Sequence, residues 1–514
     1  MILYETYFER NEGLKKVWLP IKKENVREEL GSKELFSTFL NDRAYDDILN
    51  HVRVAQQTIF LSSFIIADSK LEDLLVEKAL NGVRVYILTS TDAQLNKEDK
   101  IHLSDFDRIT INHHKRMLDK FAGRILCRSN EHLHAKFLII DPVLNGSYNP
   151  NNVTYISTAN FASKPLRESP ELIMKIIENH QIKYNTYQFF RQGFWNESNE
   201  ELLTKGEWTS ILKNEKNYFD KPDISLPVTM KDNNSLRDNI LKVINGKFDE
   251  IILSAYTFEN THKVIKTLFA KDKNIFVRVI TRAREVNQPF FKDLIENFPN
   301  LEIILNENIH AKFIITKSGE TWNGLMFTSN FATLGLDSGY ELGINLNEKQ
   351  IEVLLKIYKF WKQSSNYKYY HDVDTTMLND YVGSEVKVLD QTGFNVKIIK
   401  KENYEEKHIN IKTIGDFLRV KNELPKYENM LFDGSDSIFI QYKYKLNLIL
   451  MSKPKDLEKS KEILNINGMK NSLYHLKTNP MKKYIKISSF DELNKLINIK
   501  DQIDTYQFFK ENEN

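Results

Sequence analysis

Cysteine is nearly missing from this chain: Cys127 is the only one in 514 residues. That excludes an intrachain disulfide and any cysteine-built zinc or iron–sulfur centre, and it fits a reducing cytosol. An excess of one charge is missing too. Seventy-two Lys and Arg against 70 Asp and Glu leave +2, so no chain-wide basic field announces nucleic acid, and any electrostatic footprint has to be local. No apolar run approaches the ~18 residues that a membrane helix needs. The start, MILYETYFERNEGLKK, carries charge too early for a secretory signal. These absences lead to the expectation of a soluble, cytoplasmic protein without a transmembrane segment. What is present is an ordinary globular balance, 41% hydrophobic and 28% charged, in a length that suits two to four domains.

Periodicity gives the first domain its class. NDRAYDDILNHVRVAQQ (41–57) has helical spacing, with Asn41 or Asp42 placed to cap it. TIFLSSFII (58–66) reads as a buried strand, SKLEDLLVEKALNG (69–82) as a helix closed by Gly82, and VRVYILTS (83–90) as the next strand. Cys127, in ILCRSN, reads as a packed strand residue. This is an α/β pattern, a parallel or mixed sheet covered by helices.

The pattern then recurs. Helix 234–247, strand 250–258, helix 261–273 and strand 275–282 repeat the order. VTYISTANFAS (153–163) matches GLMFTSNFAT (324–333), SPELIMKI (169–176) matches GYELGINL (339–346), and QFFRQ (188–192) matches KFWKQ (359–363). A repeat this long means two copies of one domain, packed about a pseudo-twofold axis. The expected division is residues 1–200 for the first copy, 201–233 for a linker or insertion, 234–370 for the second copy, and 371–514 for an α+β accessory region without a third copy.

The most telling repeat is HAK. In copy one His134 and Lys136 precede an apolar strand that ends at Asp141; Thr158, Asn160 and Glu171 follow. Copy two offers His310, Lys312, Thr328, Asn330 and Glu341, with Lys317 where the acid would be. Lys, Thr and Asn are donors suited to the non-bridging oxygens of a phosphoryl group. A Glu can hold one ring nitrogen of a His and leave the other for chemistry. Attack on a phosphodiester and protonation of its leaving oxygen occur on opposite sides of phosphorus, so two facing histidines supply both roles. No metal or other cofactor is required by that scheme.

The set His134-x-Lys136-x4-Asp141, Thr158-x-Asn160 and Glu171, duplicated at matched spacing, resembles the signature of the phospholipase D superfamily. The resemblance covers roughly residues 40–365. It implies two α/β/α sandwiches with the active site at their junction, His134 as nucleophile forming a phosphohistidine, and His310 as acid and then base. It also implies that the Asp141 position is a structural support, so that Lys317 counts against an ordinary second site without removing it and leaves open a degenerate copy two that only binds. Ser157 and Phe327 stand where the family has glycine. By analogy with soluble bacterial members, the implied function is a nuclease of the restriction or phage-defence kind. Its implied partners are nucleic acid, DNA before RNA, a separate ATPase or defence protein, and a second copy of itself. A lipid phosphodiesterase or phosphatidyltransferase and a non-catalytic scaffold remain as alternatives.

Single features carry blander readings beside these. His132, with Asn308 as its counterpart, reads as surface, and His113 and His114 as a solvated loop. Arg282 and Arg284 follow a strand whose end should approach the site, where both would touch phosphates or stand as ordinary exposed arginines; Asp141, Thr158, Thr328 and Arg282 would touch the substrate phosphate or support the site. Residues 442–486 hold eleven Lys against three acids, a net +8, with Tyr442, Tyr444, Tyr474 and Tyr484 interleaved. That combination suits a nucleic-acid backbone with stacked bases or, equally, a solvated lysine face.

Overall fold

The computed structural model describes residues 14–373 except 23–30, 40, 92, 96–107, 143–150, 205 and 213–222. It also describes the short segments 4–6, 377, 385–388, 395–398, 438–442, 446–452, 473–476 and 479–487.

The strand TIFLS, Thr58–Ser62, is buried along its whole length, as a central strand covered on both faces must be. It pairs in parallel with Arg84–Leu88 and antiparallel with Phe137–Ile140. Around it the first sheet runs Leu126–Ser129, Arg84–Leu88, Thr58–Ser62, Phe137–Ile140, Val153–Ser157, Leu172–Ile176 and Leu35–Ser37. The second sheet repeats that order as Leu301–Leu305, Phe276–Thr281, Glu250–Ser254, Phe313–Ser318, Thr321–Phe327, Glu341–Leu346 and Val228–Thr229. The duplication read from the sequence is thus a duplication of topology, strand for strand.

The helices follow the apolar stripes. Arg43–Val54 buries Ala44, Tyr45, Ile48, Leu49 and Val52, one face at helical spacing. The expected Asp42 cap is not made; its carboxylate takes Nε and Nη2 of Arg167 at 2.7 and 2.8 Å, while Asn41 Oδ1 accepts the Arg43 N–H. Gly82 closes Ser69–Leu80 with φ +84°, a conformation that glycine adopts without steric cost. One apolar core fills the space between the first sheet and its outer helices, and another does the same for the second sheet. A third core is common to the two halves. It joins Phe137, Phe189, Phe190 and Phe194 to Phe313, Met326, Ile357 and Trp361. Trp361, on the helix Glu348–Ser364, donates its indole N–H to Ser37 of the first sheet at 3.1 Å. Two α/β/α sandwiches are therefore welded along one shared interior. Filling so large a buried side chain with Ala costs about 3–5 kcal/mol.

Two boundaries move. Leu14–Pro20, expected with the first copy, pairs with Tyr367–Val373 in the second sheet, and Glu385–Val388 pairs with it in turn. LKKVWLP names no partner, and pairing to a distant edge is invisible in so short a strand. The span 201–233 is also more than a linker: Glu200–Leu202 and Trp208–Ser210 edge the first sheet, and Val228–Thr229 edges the second.

Residues from Ile398 onward belong to a separate compact unit. Its described part is an antiparallel sheet of Ile438–Tyr442, Leu446–Ser452, Asn479–Ile487 and Leu473–Leu476. The expected strands in 437–451 are there. The expected helix 489–499 lies outside the described residues, as do 443–445, 453–472 and 477–478 of the lysine-rich stretch.

Candidate active site

Each HAK phrase is an extended lead-in to a central strand, and each is gripped by the opposite half. His134 and Ala135 donate their N–H groups to the Tyr340 carbonyl at 3.1 and 2.8 Å. His310 and Ala311 donate theirs to the Pro170 carbonyl at 3.2 and 3.1 Å. Tyr340 and Pro170 are the residues just before Glu341 and Glu171, so the same clasp places each Glu under the other half's histidine. His134 Nδ1 lies 2.8 Å from Glu341 Oε1, and His310 Nδ1 lies 2.7 Å from Glu171 Oε1. The pairs are crossed. Tyr340 is itself fixed by stacking on Phe189, centroids 4.1 Å apart, and by donating its hydroxyl to the Phe189 carbonyl. Gly193 leaves the room this requires, since a Cβ there would fall 2.4 Å from the Tyr340 ring.

The threonines stand on the supporting side of the two roles expected for them. Thr158 donates to Glu171 Oε2 at 2.6 Å, and Thr328 donates to Glu341 Oε2. Both hydroxyls are spent on the carboxylates, and each also accepts the backbone N–H of Leu172 or Leu342. They align the Glu rather than reach toward a phosphoryl oxygen. Each half thus builds a Thr–Glu–His chain whose last member belongs to the other half.

Lys136 and Lys312 are fully buried. Lys136 donates to the His134 carbonyl. Lys312 donates to the His310 carbonyl at 2.7 Å and has Nζ 2.9 and 3.1 Å from the two ring nitrogens. Asn330 Oδ1 accepts the N–H groups of Tyr256 and Thr257, which fixes how its amide is turned. Asn160 is buried, and its side-chain oxygen has no hydrogen-bond partner among the described residues.

Burial works against every charge here, and neighbours decide the outcome. Desolvation with cations close by lowers both imidazoles despite the carboxylates: His134 below its usual value by burial, Lys136 and Lys312, and His310 to about 3 by burial, Lys312 and Arg282. Desolvation also lowers Lys136 to about 7 and Lys312 to about 8. Burial alone would raise Glu171, but His310, Lys312 and Thr158 hold it at about 2. The His310 contribution requires a charged imidazole, so near neutrality Lys312 and the Thr158 hydroxyl keep this carboxylate ionised. The two rings remain open on one edge, with 28% and 19% of the side chains exposed.

Asp141 accepts three backbone N–H groups, from Gln56, Gln57 and Thr58, at 2.7 to 2.9 Å. It ties the end of its own strand to the start of the neighbouring one, as a support residue would. Lys317 occupies the matching register position opposite Glu250, but there the strand runs on into a hairpin. A different acid serves that hairpin: Asp249, the residue before the adjacent strand Glu250–Ser254, accepts the N–H of Gly319 in its turn. Cys127 is buried in its strand. His113 and His114 are helical, not a solvated loop. His114 is buried, its ring bonded to the Ile66 and Ser90 backbone, and His113 Nε2 lies 2.9 Å from Glu72. Helical spacing from Ile111 to Phe121 could have revealed that. His132 is exposed.

Arg282 does not point outward as a simple phosphate ligand. It donates to the carbonyls of Ile309 and Asn308, the two residues before His310, at 2.8 and 3.1 Å. No local pattern singles out Tyr256, whose ring meets His310 edge-on with centroids 5.3 Å apart. Among the described residues, no three His, Cys, Asp or Glu side chains converge as metal ligands.

Residues 48–195 match the family model described as "Cardiolipin synthase, PLD-like domain". Residues 48–195 thus carry a phospholipase D-like domain. Its fold is accordingly of the phosphodiesterase type, shared by enzymes that hydrolyse or transfer phosphodiesters. A search of curated proteins matches nothing. Among solved structures, the chain is similar to a polyphosphate kinase from Porphyromonas gingivalis, at 14% identity and TM-score 0.46, over 76% of this chain and 53% of that one. It is similar to a phosphatidylserine synthase from Haemophilus influenzae, at 13% identity and TM-score 0.43, over 71% and 90%. It is also similar to Nuc, a phospholipase D family member from Salmonella typhimurium, at 16% identity and TM-score 0.24, over 32% and 95%. The chain therefore spans about half the length of the polyphosphate kinase. No helix among the described residues is long and apolar enough to cross a membrane.

Proposed function

We propose that this chain is a metal-independent phosphodiesterase that cleaves nucleic acid through a phosphohistidine. The observation that carries the reading is the crossed pairing of His134 with Glu341 and His310 with Glu171. Each carboxylate assigns the proton of a neutral ring to Nδ1, which leaves the Nε2 lone pair of His134 for attack, while Nε2 of His310 lies 3.1 Å from Lys312 Nζ. With His134 as nucleophile, its Nε2 bonds to phosphorus, the bond to the leaving alkoxide breaks, and that oxygen takes a proton from His310. Water then attacks, giving its proton to His310 as the P–N bond breaks. Lys136, Lys312, Asn160 and Asn330 offset charge on the equatorial oxygens. Asp141, Thr158, Thr328 and Arg282 hold the frame.

A nucleic-acid substrate is supported by the planar, cationic surroundings of His310, where Tyr256, Arg282 and Arg284 gather, and by the lysine- and tyrosine-rich stretch 442–486. A lipid headgroup is the second reading, favoured by the description of the matching family model. Incubating the full chain with chelator and single- or double-stranded DNA and RNA, beside phosphatidylglycerol vesicles, separates the two. Polymer cleavage that is lost in His134→Ala supports the nuclease. Headgroup release without polymer cleavage moves the activity to lipid, and no reaction in any arm ends both readings.

A further inference from the structure

The catalytic groups obey the pseudo-twofold axis, but their surroundings do not. The strands give the alignment: Ser62 pairs with Leu88 in the first half, and Ser254 with Ile280 in the second. Two residues past each of those pairs, Phe64 corresponds to Tyr256 and Ser90 to Arg282. In the first half Phe64 lies 6.1 Å from the His134 ring, and Ser90 folds back to donate to the Phe64 carbonyl. In the second half Tyr256 replaces the phenyl group, and two guanidinium carbons lie 4.7 Å (Arg282) and 4.1 Å (Arg284) from its ring centroid. Arg282 is committed to the loop carbonyls before His310. Arg284 Nη1 lies 3.2 Å from Thr257 Oγ1, and its guanidinium stands one aromatic ring away from the imidazole.

Both cations sit on one side of a site whose scissile phosphate is already matched by Lys136 and Lys312. A guanidinium has the fork geometry that grips a phosphate through two oxygens, and its plane stacks on aromatic faces. We propose that Arg284, stacked on Tyr256 and backed by Arg282, binds the phosphate that neighbours the scissile one on a nucleic-acid strand. The site thereby reads strand direction: the strand leaves over the second half on the side where a further phosphate meets Arg284, whereas among the described residues Ser90 stands where Arg282 would be in the first half. This rests on the nuclease reading and names the substrate feature that the same site selects.

The test uses the full chain and three dinucleotides with a single scissile bond each: TpT, TpT with a 5′-phosphate, and TpT with a 3′-phosphate. One terminal phosphate raises kcat/KM about tenfold over TpT, as expected for a charge-assisted contact, and the other has little effect. Arg284→Met removes that preference, and Arg284→Lys keeps part of it. Equal effects of the two phosphates, no effect of either, or a preference that survives Arg284→Met overturns the subsite while leaving the nuclease reading intact. No cleavage of TpT or of longer oligonucleotides overturns both.

Discussion

The two halves agree in the side chains they bring to the junction and differ in the residues that support them. His, Lys, Thr, Asn and Glu occupy matched places in both, and each Glu serves the histidine of the other half. The supports diverge. The first half ties two strand ends with Asp141, through three backbone N–H groups. The second half runs the same strand into a hairpin and uses Asp249, the residue before the neighbouring strand. The loop before His310 is braced by Arg282, whereas Ser90 stands at the matching position of the first half. A crossed site tolerates this. Each half has to deliver a His, a Lys and a Glu to one junction, and either scaffold that does so is equivalent.

The largest test of that equivalence is removal of each histidine. His134→Ala and His310→Ala each lower kcat on an oligonucleotide by about a thousandfold or more, because both roles are required in one turnover. A half that only binds would instead leave its variant active. The supports should break the equivalence. Asp141→Ala leaves three backbone donors without their carboxylate and costs roughly 3 kcal/mol in urea unfolding. Asp249→Ala loses one exposed bond and costs less than about 1 kcal/mol. Equal costs would mean that the two halves are supported alike.

The pH dependence sharpens the comparison further. kcat/KM reports the free protein, in which both imidazoles titrate below their usual value and His310 near 3. One ring must be protonated and the other neutral. The optimum on bis-p-nitrophenyl phosphate therefore lies on the acid side, between about 3 and the usual 6.5; an optimum above pH 7 contradicts the buried geometry. The smallest effect concerns the lysines. Lys136 has a folded value of about 7 against 10.5 in the unfolded chain, so between these the unfolded state binds more protons and the wild type gains stability as pH rises. Lys136→Met lacks that gain. Its stability relative to wild type falls between pH 7 and 10, measured by urea unfolding at each pH.

The duplication was legible because periodicity and the HAK, Asn and Glu spacings are local signals. Helix 43–54 and strands 58–62, 84–88, 250–254 and 276–281 lie where apolar spacing puts them. The crossing of the Glu–His pairs was not legible, since Glu171 lies eleven positions past its own half's Asn160 and nothing in that spacing says which histidine it meets. Which of their two expected roles the threonines take was hidden for a related reason. A hydroxyl suits phosphate and carboxylate equally, and only the fold brings Thr158 to Glu171. The joining of Leu14–Pro20 to a strand more than 340 positions away depends on an edge that only the assembled sheet creates.

The crossed pairing is tested most directly by ¹⁵N NMR of histidine-labelled protein, with the His134 and His310 signals assigned from single-histidine variants. Glu341→Gln should move the Nδ1 resonance of His134 and leave His310 nearly unchanged, and Glu171→Gln should do the reverse. If each substitution instead perturbs the histidine of its own half, the composite site described above is wrong.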